Sequence, residues 1–344
     1  MSNLIIPACG KSSRYPGLRP KWLLTHPSGN AMLTECIKGL NHECKNIFIA
    51  VLKEHVDQYG FVDGILDQIN DPRAKFVVLD KPTKDQPETI LQVIQKEKVT
   101  GQIYCKDTDN YFSSDLPNGN FVSTIDLCNS DLITPNNKSY IKTNNLNCVV
   151  NIVEKKVVSS RYCCGLYGFE DAEEFVKYYE SIYSISNDMY LSDIIHKMIL
   201  DNKVFNEVFA KDYIDWGTSN DWDRFRSEYK VVFLDIDGVL VENSCGYMKP
   251  FVGTTKGISP NVKHINKLFD SGKSQIILTT ARKEKHRAET VDQLNREGIP
   301  YHQLVMGLYH AKRIVVNDYS KSNPYKSCEA INMRRNSDFL EDLL

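Results

Sequence analysis

Two apolar strands, each running straight into a turn rich in charge or small residues, constrain this 344-residue chain more than any other feature. Near the N-terminus, Leu4–Ala8 leads into Cys9-Gly10-Lys11-Ser12-Ser13-Arg14, with Pro20-Lys21 close behind. Near the C-terminus, Val231–Leu234 leads into Asp235-Ile236-Asp237-Gly238-Val239-Leu240. A strand, a turn and then a helix form the repeating unit of a parallel α/β sheet. Two such starts, more than two hundred residues apart, predict two α/β units in one polypeptide, with a polar or charged turn at the mouth of each.

The pattern between them agrees. Strands are expected at Leu4–Ala8, Ile47–Leu52, Phe76–Leu79, Gln102–Lys106, Cys148–Val153 and Tyr162–Phe169, and helices at Met32–Leu40, Pro87–Glu97 and Ala172–Ser181. A polar stretch, Ser219–Lys230, separates the halves and sets the domains at 1–227 and 228–344. The second half repeats the alternation: strand Val231–Leu234, helix Asn261–Ser271, strand Gln275–Thr279, helix Glu284–Glu297, strand Arg313–Val316. The last residues, from Arg334-Arg335-Asn336 to Leu344, read as a helix that packs or pairs with a neighbour.

A formal net charge of −2 offers no basic field for nucleic acid or an anionic membrane. The longest apolar runs are strand length, well short of the roughly 20 residues of a membrane helix. The N-terminus reads as a first strand rather than a signal peptide. The ten cysteines show no CxxC and no Cys/His cluster of zinc spacing, which suits reduced thiols in a cytoplasm. Cys163 and Cys164 are expected on opposite faces of one strand.

In the first half, backbone N–H groups of the Gly10, Lys11, Ser12, Ser13 loop can cradle phosphate. Arg14 offers a forked contact and Lys21 a point charge. The order Pro7-Ala8-x-Gly10-x-x-x-Arg14, then Pro20-Lys21, resembles the nucleotidyltransferases that make nucleotide-activated sugars, polyols and choline, over about residues 2–220. Four further segments carry the likeness in order. Asp109-Asn110-Tyr111-Phe112 looks like the family's metal-binding Asp, with Asp107 as a competing candidate. Ile152-Val153-Glu154-Lys155-Lys156 resembles its acceptor-site Val-x-Glu-Lys-Pro, with Ile152 and Lys156 as departures, and Gly165-Leu166-Tyr167-Gly168-Phe169 resembles the next strand. Asp215-Trp216-Gly217-Thr218 looks like the segment that supplies a second metal carboxylate.

This resemblance implies a Rossmann-like, GT-A-like fold. It places Ala8, Gly10, Lys11, Ser12, Ser13 and Gln86 at the nucleotide, and Glu154, Lys155 and Gly165 at the acceptor. Asp109 and Asp215 would hold Mg²⁺ on a nucleoside triphosphate, with CTP preferred on resemblance alone. The acceptor's phosphate oxygen would attack the α-phosphorus in line and pyrophosphate would leave, with Arg14 and Lys21 offsetting the charge. Trp22, Trp216 and Trp222 flank this site and read as packing residues. No hexapeptide-repeat tail follows; the second unit occupies that place.

Two aspartates at i and i+2 after a strongly apolar strand are costly unless they bind something. Asp235-Ile236-Asp237-Gly238 resembles the first motif of the haloacid dehalogenase superfamily, over about Lys230–Lys326. Thr280 matches its second motif and Asn317-Asp318 its fourth. The third-motif Lys is assigned to Lys312, with Arg282 or Lys283 as substitutes. The likeness implies Asp235 as nucleophile, Asp237 as acid and base, Thr280 and Lys312 on the phosphoryl oxygens, and Mg²⁺ on Asp235, the Asp237 carbonyl and Asp318. Only about 42 residues separate Asp237 from Thr280, which leaves a minimal cap, with Gly246–Gly257 as cover. His286 and His310 read as surface residues near this site.

The leading expectation is a bifunctional, Mg²⁺-dependent cytoplasmic enzyme of surface-glycan precursor synthesis. It would transfer a nucleotidyl group to a phosphorylated sugar, polyol or amino alcohol and hydrolyse a related phosphomonoester. The competing expectation is a phosphatase whose first domain binds nucleotide without turnover, as a sensor. A molybdopterin-type or glycosyl transferase fits Glu154-Lys155 and Asp215-Trp216-Gly217-Thr218 less well.

Overall fold

The computed structural model describes residues 2–10, 12, 14–41, 43–129, 134–183, 189–318 and 327–344. The chain divides into two compact units, Met1–Arg226 and Ser227–Leu344.

In the first unit the strands are β1 Asn3–Pro7, β2 Leu40–Asn41, β3 Asn46–Leu52, β4 Ala74–Leu79, β5 Ile103–Lys106 and β6 Asn110–Asp115. They continue with β7 Phe121–Asp126, β8 Tyr140–Thr143, β9 Val149–Val153, β10 Arg161–Phe169, β11 Asn206–Phe209 and β12 Lys211–Asp215. The helices are α1 Met32–Lys38, α2 Lys53–Tyr59, α3 Val62–Ile69, α4 Gln86–Glu97, α5 Ala172–Tyr183, α6 Leu191–Leu200 and α7 Ser219–Ser227. The main sheet runs β11-β7-β10-β5-β1-β3-β4, with β8 and β9 attached beside β10. Strands β5, β1, β3 and β4 are parallel, whereas β10 is antiparallel to β5.

Ile47 through Leu52 of β3 are all buried, as a strand covered by helices on both faces requires. Asp85 caps α4 by accepting from the Glu88 N–H at 2.9 Å, and Pro87 sits in its first turn, where no backbone donor is needed. A short second sheet, β12-β6-β2, brings Asp215 at the end of β12 opposite Asn110 at the start of β6. The three tryptophans are each 1 % exposed, and Trp216, Trp222 and Phe225 pack ring to ring. They are core residues, as expected.

The second unit holds a parallel sheet of β13 Lys230–Asp235, β14 Ser274–Thr279 and β15 Gln303–Val305, with α8 Ser259–Asp270 and α9 Arg287–Arg296. Its core gathers Val232, Leu234, Ile236, Leu240, Ile265, Ile276, Leu278, Leu294 and Leu340. Residues 242–256 form an excursion pinned at its base, where the Glu242 N–H donates to the Lys256 carbonyl. The Gln293 amide of α9 ties it down through the Thr255 carbonyl at 2.7 Å.

Two expected elements do not form. Arg313–Val316 is not a strand: Ile314, Val315 and Val316 are 76, 60 and 89 % exposed and join no ladder. A β-branched run becomes a strand only beside an edge that accepts it, and the third strand is instead Gln303–Val305. The C-terminal segment is not a helix beyond a 3-10 turn at Leu340–Asp342. Its backbone groups are committed elsewhere: the Asn336 N–H donates to the Gly238 carbonyl, and fully buried Asn261 accepts from the Leu340 N–H. The same Asn261 amide donates to the Val239 and Ser337 carbonyls at 2.7 and 2.8 Å.

Asn261 therefore anchors the tail. Asn261→Ala is expected to lower the stability of the second unit by about 1–3 kcal/mol, because backbone groups are left unpaired. Trypsin cleavage after Arg334 and Arg335 should accelerate; an unchanged rate would contradict the anchor.

Candidate functional site

The carboxyl ends of β1 and β5 and the start of β10 open onto a cleft of ≈ 420 Å³ in the first unit. Arg14, Gln86, Asp109, Glu154, Lys155 and Gly165 all line it, and they come from five separate stretches of chain.

Asp109 follows β5 and is the most heavily paired acid there. Its carboxylate accepts from the Lys21 ammonium and lies 3.4 Å from Arg14 Nη2. Burial, the largest influence, pushes its pKa up, but Lys21, Arg14 and Lys138 outweigh it and hold the group well below the usual carboxylate range. Asp215 ends β12 and pairs with the Lys138 ammonium at 2.9 Å; Lys138 also donates to the Tyr213 hydroxyl at 2.8 Å. Gly217 shows how close these groups come. A Cβ added there would lie 3.1 Å from Asp215 Oδ1, 3.4 Å from Arg14 Nη1 and 3.8 Å from Asp109 Oδ2.

Asp107 faces the cleft two residues earlier and is a different kind of acid. It accepts from the Gln86 amide at 2.5 Å. Burial, and then repulsion from Asp109, raise its pKa. Gly165 packs directly against it: with φ +90°, an added Cβ would be strained and would stand 2.5 Å from Asp107 Oδ2, displacing the carboxyl. Beneath the turn, fully buried Lys106 donates to the Asp107 carbonyl at 2.8 Å and to Asn110 Oδ1 at 2.5 Å. These bonds fix the backbone that carries Asp109.

Glu154 lies on the far side of the cleft, where its carboxylate accepts from the Ser139 and Ser192 hydroxyls. Lys155 adopts a left-handed φ of 51°, with its ammonium on the Tyr190 hydroxyl. Cys163 and Cys164 line the same wall as neutral thiols, since burial pushes Cys164 up to about 12 and Cys163 well above its usual value. Ala8 is buried at the end of β1, and Gly10 follows it with open space at its Cα. The Ser12 hydroxyl accepts from the Lys21 N–H at 3.0 Å, so it positions Lys21. Lys11 and Ser13 lie outside the described residues.

The first unit thus brings most of its expected residues together. Lys138, Ser139, Tyr190 and Ser192 are cleft residues that no motif announced. Asp109 and Asp215 fit a small hard cation, because Mg²⁺ in phosphate sites takes one or two protein carboxylates and completes its shell with water and phosphate oxygens. Among the described residues no three metal-ligating side chains converge.

The second unit gathers acids and arginines at the ends of β13 and β14. Asp235 and Thr279 are register partners at the ends of β13 and β14. Arg282, whose side chain is 3 % exposed, forms a forked pair with Asp237 at 2.7 and 2.8 Å. Its remaining nitrogen, Nη1, donates to both Thr290 and Gln293, and the Ser244 hydroxyl donates to Asp237 at 2.6 Å. Thr280 is buried, and its Oγ1 accepts from the Arg282 N–H at 3.1 Å. Asp235 faces Arg313 at 3.2 Å.

Lys312, expected at this site, is exposed; its neighbour Arg313 and the alternative Arg282 supply the cations instead. Asp318 is also exposed and does not join Asp235 in a metal-ligating group, because the strand expected to deliver it is absent. Ser244, which reaches Asp237, comes from the excursion just before the expected cover Gly246–Gly257.

No protein-family model matches the chain, and no curated protein matches it in sequence. Solved structures do match in fold. A nucleoside-diphosphate-sugar pyrophosphorylase from Vibrio cholerae RC9 aligns at 16 % identity and TM-score 0.54, over 64 % of this chain and 98 % of its own. A Bacillus anthracis structure assigned as a glucose-1-phosphate thymidylyltransferase, in complex with a sucrose, aligns at 20 % identity and TM-score 0.51, over 66 % and 94 %. A UDP-glucose pyrophosphorylase complexed with UDP-glucose aligns at 15 % and TM-score 0.50, over 65 % and 97 %. Each alignment covers more of the chain than the second unit holds, so each takes in a substantial part of the first. Over about 64 % of its length the chain shares its fold with these nucleotidyltransferase structures.

The raised pKa of Asp107 carries a pH signature. A carboxyl with a folded pKa above its unfolded value keeps its proton longer in the native state. Native stability therefore falls as pH climbs from about 4 to the folded value. Asp107→Asn should gain nothing over wild type at the acid end, gain progressively through that interval and then level off. Thermal melts across pH check this; a gain that is flat with pH would rule out the buried carboxyl as its source.

Proposed function

We propose that the first unit is a Mg²⁺-dependent nucleotidyltransferase that joins a nucleoside triphosphate to a phosphorylated small metabolite and releases pyrophosphate. The observation that carries this reading is the meeting of Asp109 and Asp215 with Lys21, Arg14 and Lys138 at one end of the cleft. Three cations against two carboxylates leave a positive locus suited to a polyphosphate. Mg²⁺ on the two carboxylates would supply the further charge that a triphosphate needs.

Arg14 and Lys21 are placed to offset charge on the leaving pyrophosphate and the α-phosphate. Glu154 and Lys155 stand across the cleft as acceptor contacts. An acceptor phosphate is already anionic at neutral pH, so no general base is required. The acceptor is a phosphorylated sugar, polyol or amino alcohol, the base is cytosine by resemblance, and the product feeds surface-glycan synthesis. The second unit would act as a phosphomonoesterase with Asp235 as nucleophile, Asp237 beside it and Thr280 behind. Its cationic partners are Arg282 and Arg313.

Mg²⁺, each of the common triphosphates and a panel of phosphorylated acceptors test this, with pyrophosphate and inorganic phosphate followed separately. One triphosphate with one acceptor should release pyrophosphate. Asp109→Ala and Asp215→Ala should each cut that rate by about 10²-fold or more, in the range seen when a charge-stabilising group is lost. Asp235→Asn should abolish phosphate release and spare pyrophosphate release. Nucleotide binding with no pyrophosphate from any pair would instead establish a sensor domain.

A further inference from the structure

Lys138 is the cleft cation that no motif predicts, and both its ends are tied. Its ammonium lies 2.9 Å from Asp215 Oδ2 and 3.0 Å from Oδ1, with the Tyr213 hydroxyl at 2.8 Å. The pair is only 16 and 15 % exposed at its side chains. Its carbonyl accepts from the Lys155 N–H at 3.1 Å, within the Glu154–Lys155 turn. The next residue, Ser139, donates from its hydroxyl to Glu154. One residue therefore bridges the carboxylate proposed to hold metal and the turn proposed to hold acceptor.

We propose that Lys138 is the resident counter-ion of Asp215: it holds the carboxylate charge-balanced before metal arrives and is displaced into the cleft when metal binds. This rests on the reading of Asp109 and Asp215 as metal carboxylates. A divalent cation on these oxygens repels the ammonium at close range and weakens its hold on the carboxylate. Displacement leaves an ammonium on a flexible four-carbon stem beside the Glu154–Lys155 turn, free to meet an anionic acceptor. Metal entry and acceptor affinity are then linked through one side chain, and Lys138 is a positioning residue for both.

The sign of one substitution separates this from a purely structural role. Mn²⁺ binding without nucleotide is measured by calorimetry on the full chain, for wild type, Lys138→Met and Lys138→Arg. Removing a competing cation predicts that Lys138→Met binds Mn²⁺ tighter, by roughly tenfold, the scale of a partly buried ion pair. Lys138→Arg keeps the competitor and should stay within about twofold of wild type. If Lys138 merely props Asp215 in place, Lys138→Met will bind Mn²⁺ more weakly, and that result overturns the inference, as does an unchanged affinity. Thermal melts of the Arg and Met variants establish that both fold.

Pyrophosphate release by the same wild-type preparation keeps the two readings apart. Release together with unchanged Mn²⁺ affinity in Lys138→Met removes this inference and leaves the transferase. Wild-type Mn²⁺ binding that survives Asp109→Ala and Asp215→Ala removes the metal reading and this inference with it.

Discussion

The burial of Asp109 at the end of a parallel strand is the constraint on which the first unit turns. A carboxylate taken out of water must be paired and hydrogen-bonded, or it gives up its charge. Here Lys21 and Arg14 come from the loop after β1, and that loop is shaped to deliver them: the Ser12 hydroxyl holds the Lys21 backbone. The Trp216 N–H donates to the Asp109 carbonyl at 2.8 Å, which draws in the segment carrying Asp215. Lys106 secures the same turn from below without adding a carboxylate partner of its own. The proposed metal role and the pairing of a buried charge thus make the same demand on one residue.

Asp107 and Asp109 show how two residues of separation can divide roles. One carboxyl is surrounded by cations and held ionised; the other meets an amide, a glycine and its charged neighbour, and its pKa rises. The second unit solves its own problem of paired acids with arginine. Asp237 lies in a guanidinium fork that is itself held by Thr290 and Gln293, and Asp235 faces Arg313. Forked arginine contacts restrict orientation more than a lysine does. Here the C-terminal tail also crosses the turn after Asp237, with Arg335 packed against Gly238.

Much of the first unit was legible because its signals are local. Apolar runs such as Ile47–Leu52 favour buried strands, and Pro87 suits the first turn of a helix. The spaced pieces around Arg14, Asp109, Glu154 and Asp215 pointed to residues that the fold gathers around one end of the sheet. Lys138 was not legible: it belongs to no pattern, and its place beside Asp215 comes from a contact between residues far apart in sequence. The second unit failed at Arg313–Val316 for a related reason. Hydrophobic periodicity reports a tendency, whereas a strand needs a neighbour's backbone, and that choice is tertiary. The tail misled likewise, since its charged and apolar residues suit a helix while Asn261 claims the backbone groups a helix would use.

The close approach of Asp109 and Asp215 underlies the proposal that a metal–triphosphate complex seats between these carboxylates. The direct measurement is a crystal of the full chain grown with Mn²⁺ and a non-hydrolysable triphosphate, with Mn²⁺ located by its anomalous signal. The account predicts a peak bridging Asp109 and Asp215, with phosphate oxygens in its coordination shell and Arg14 turned toward them. A nucleotide bound in the cleft with Mn²⁺ away from both carboxylates would contradict it.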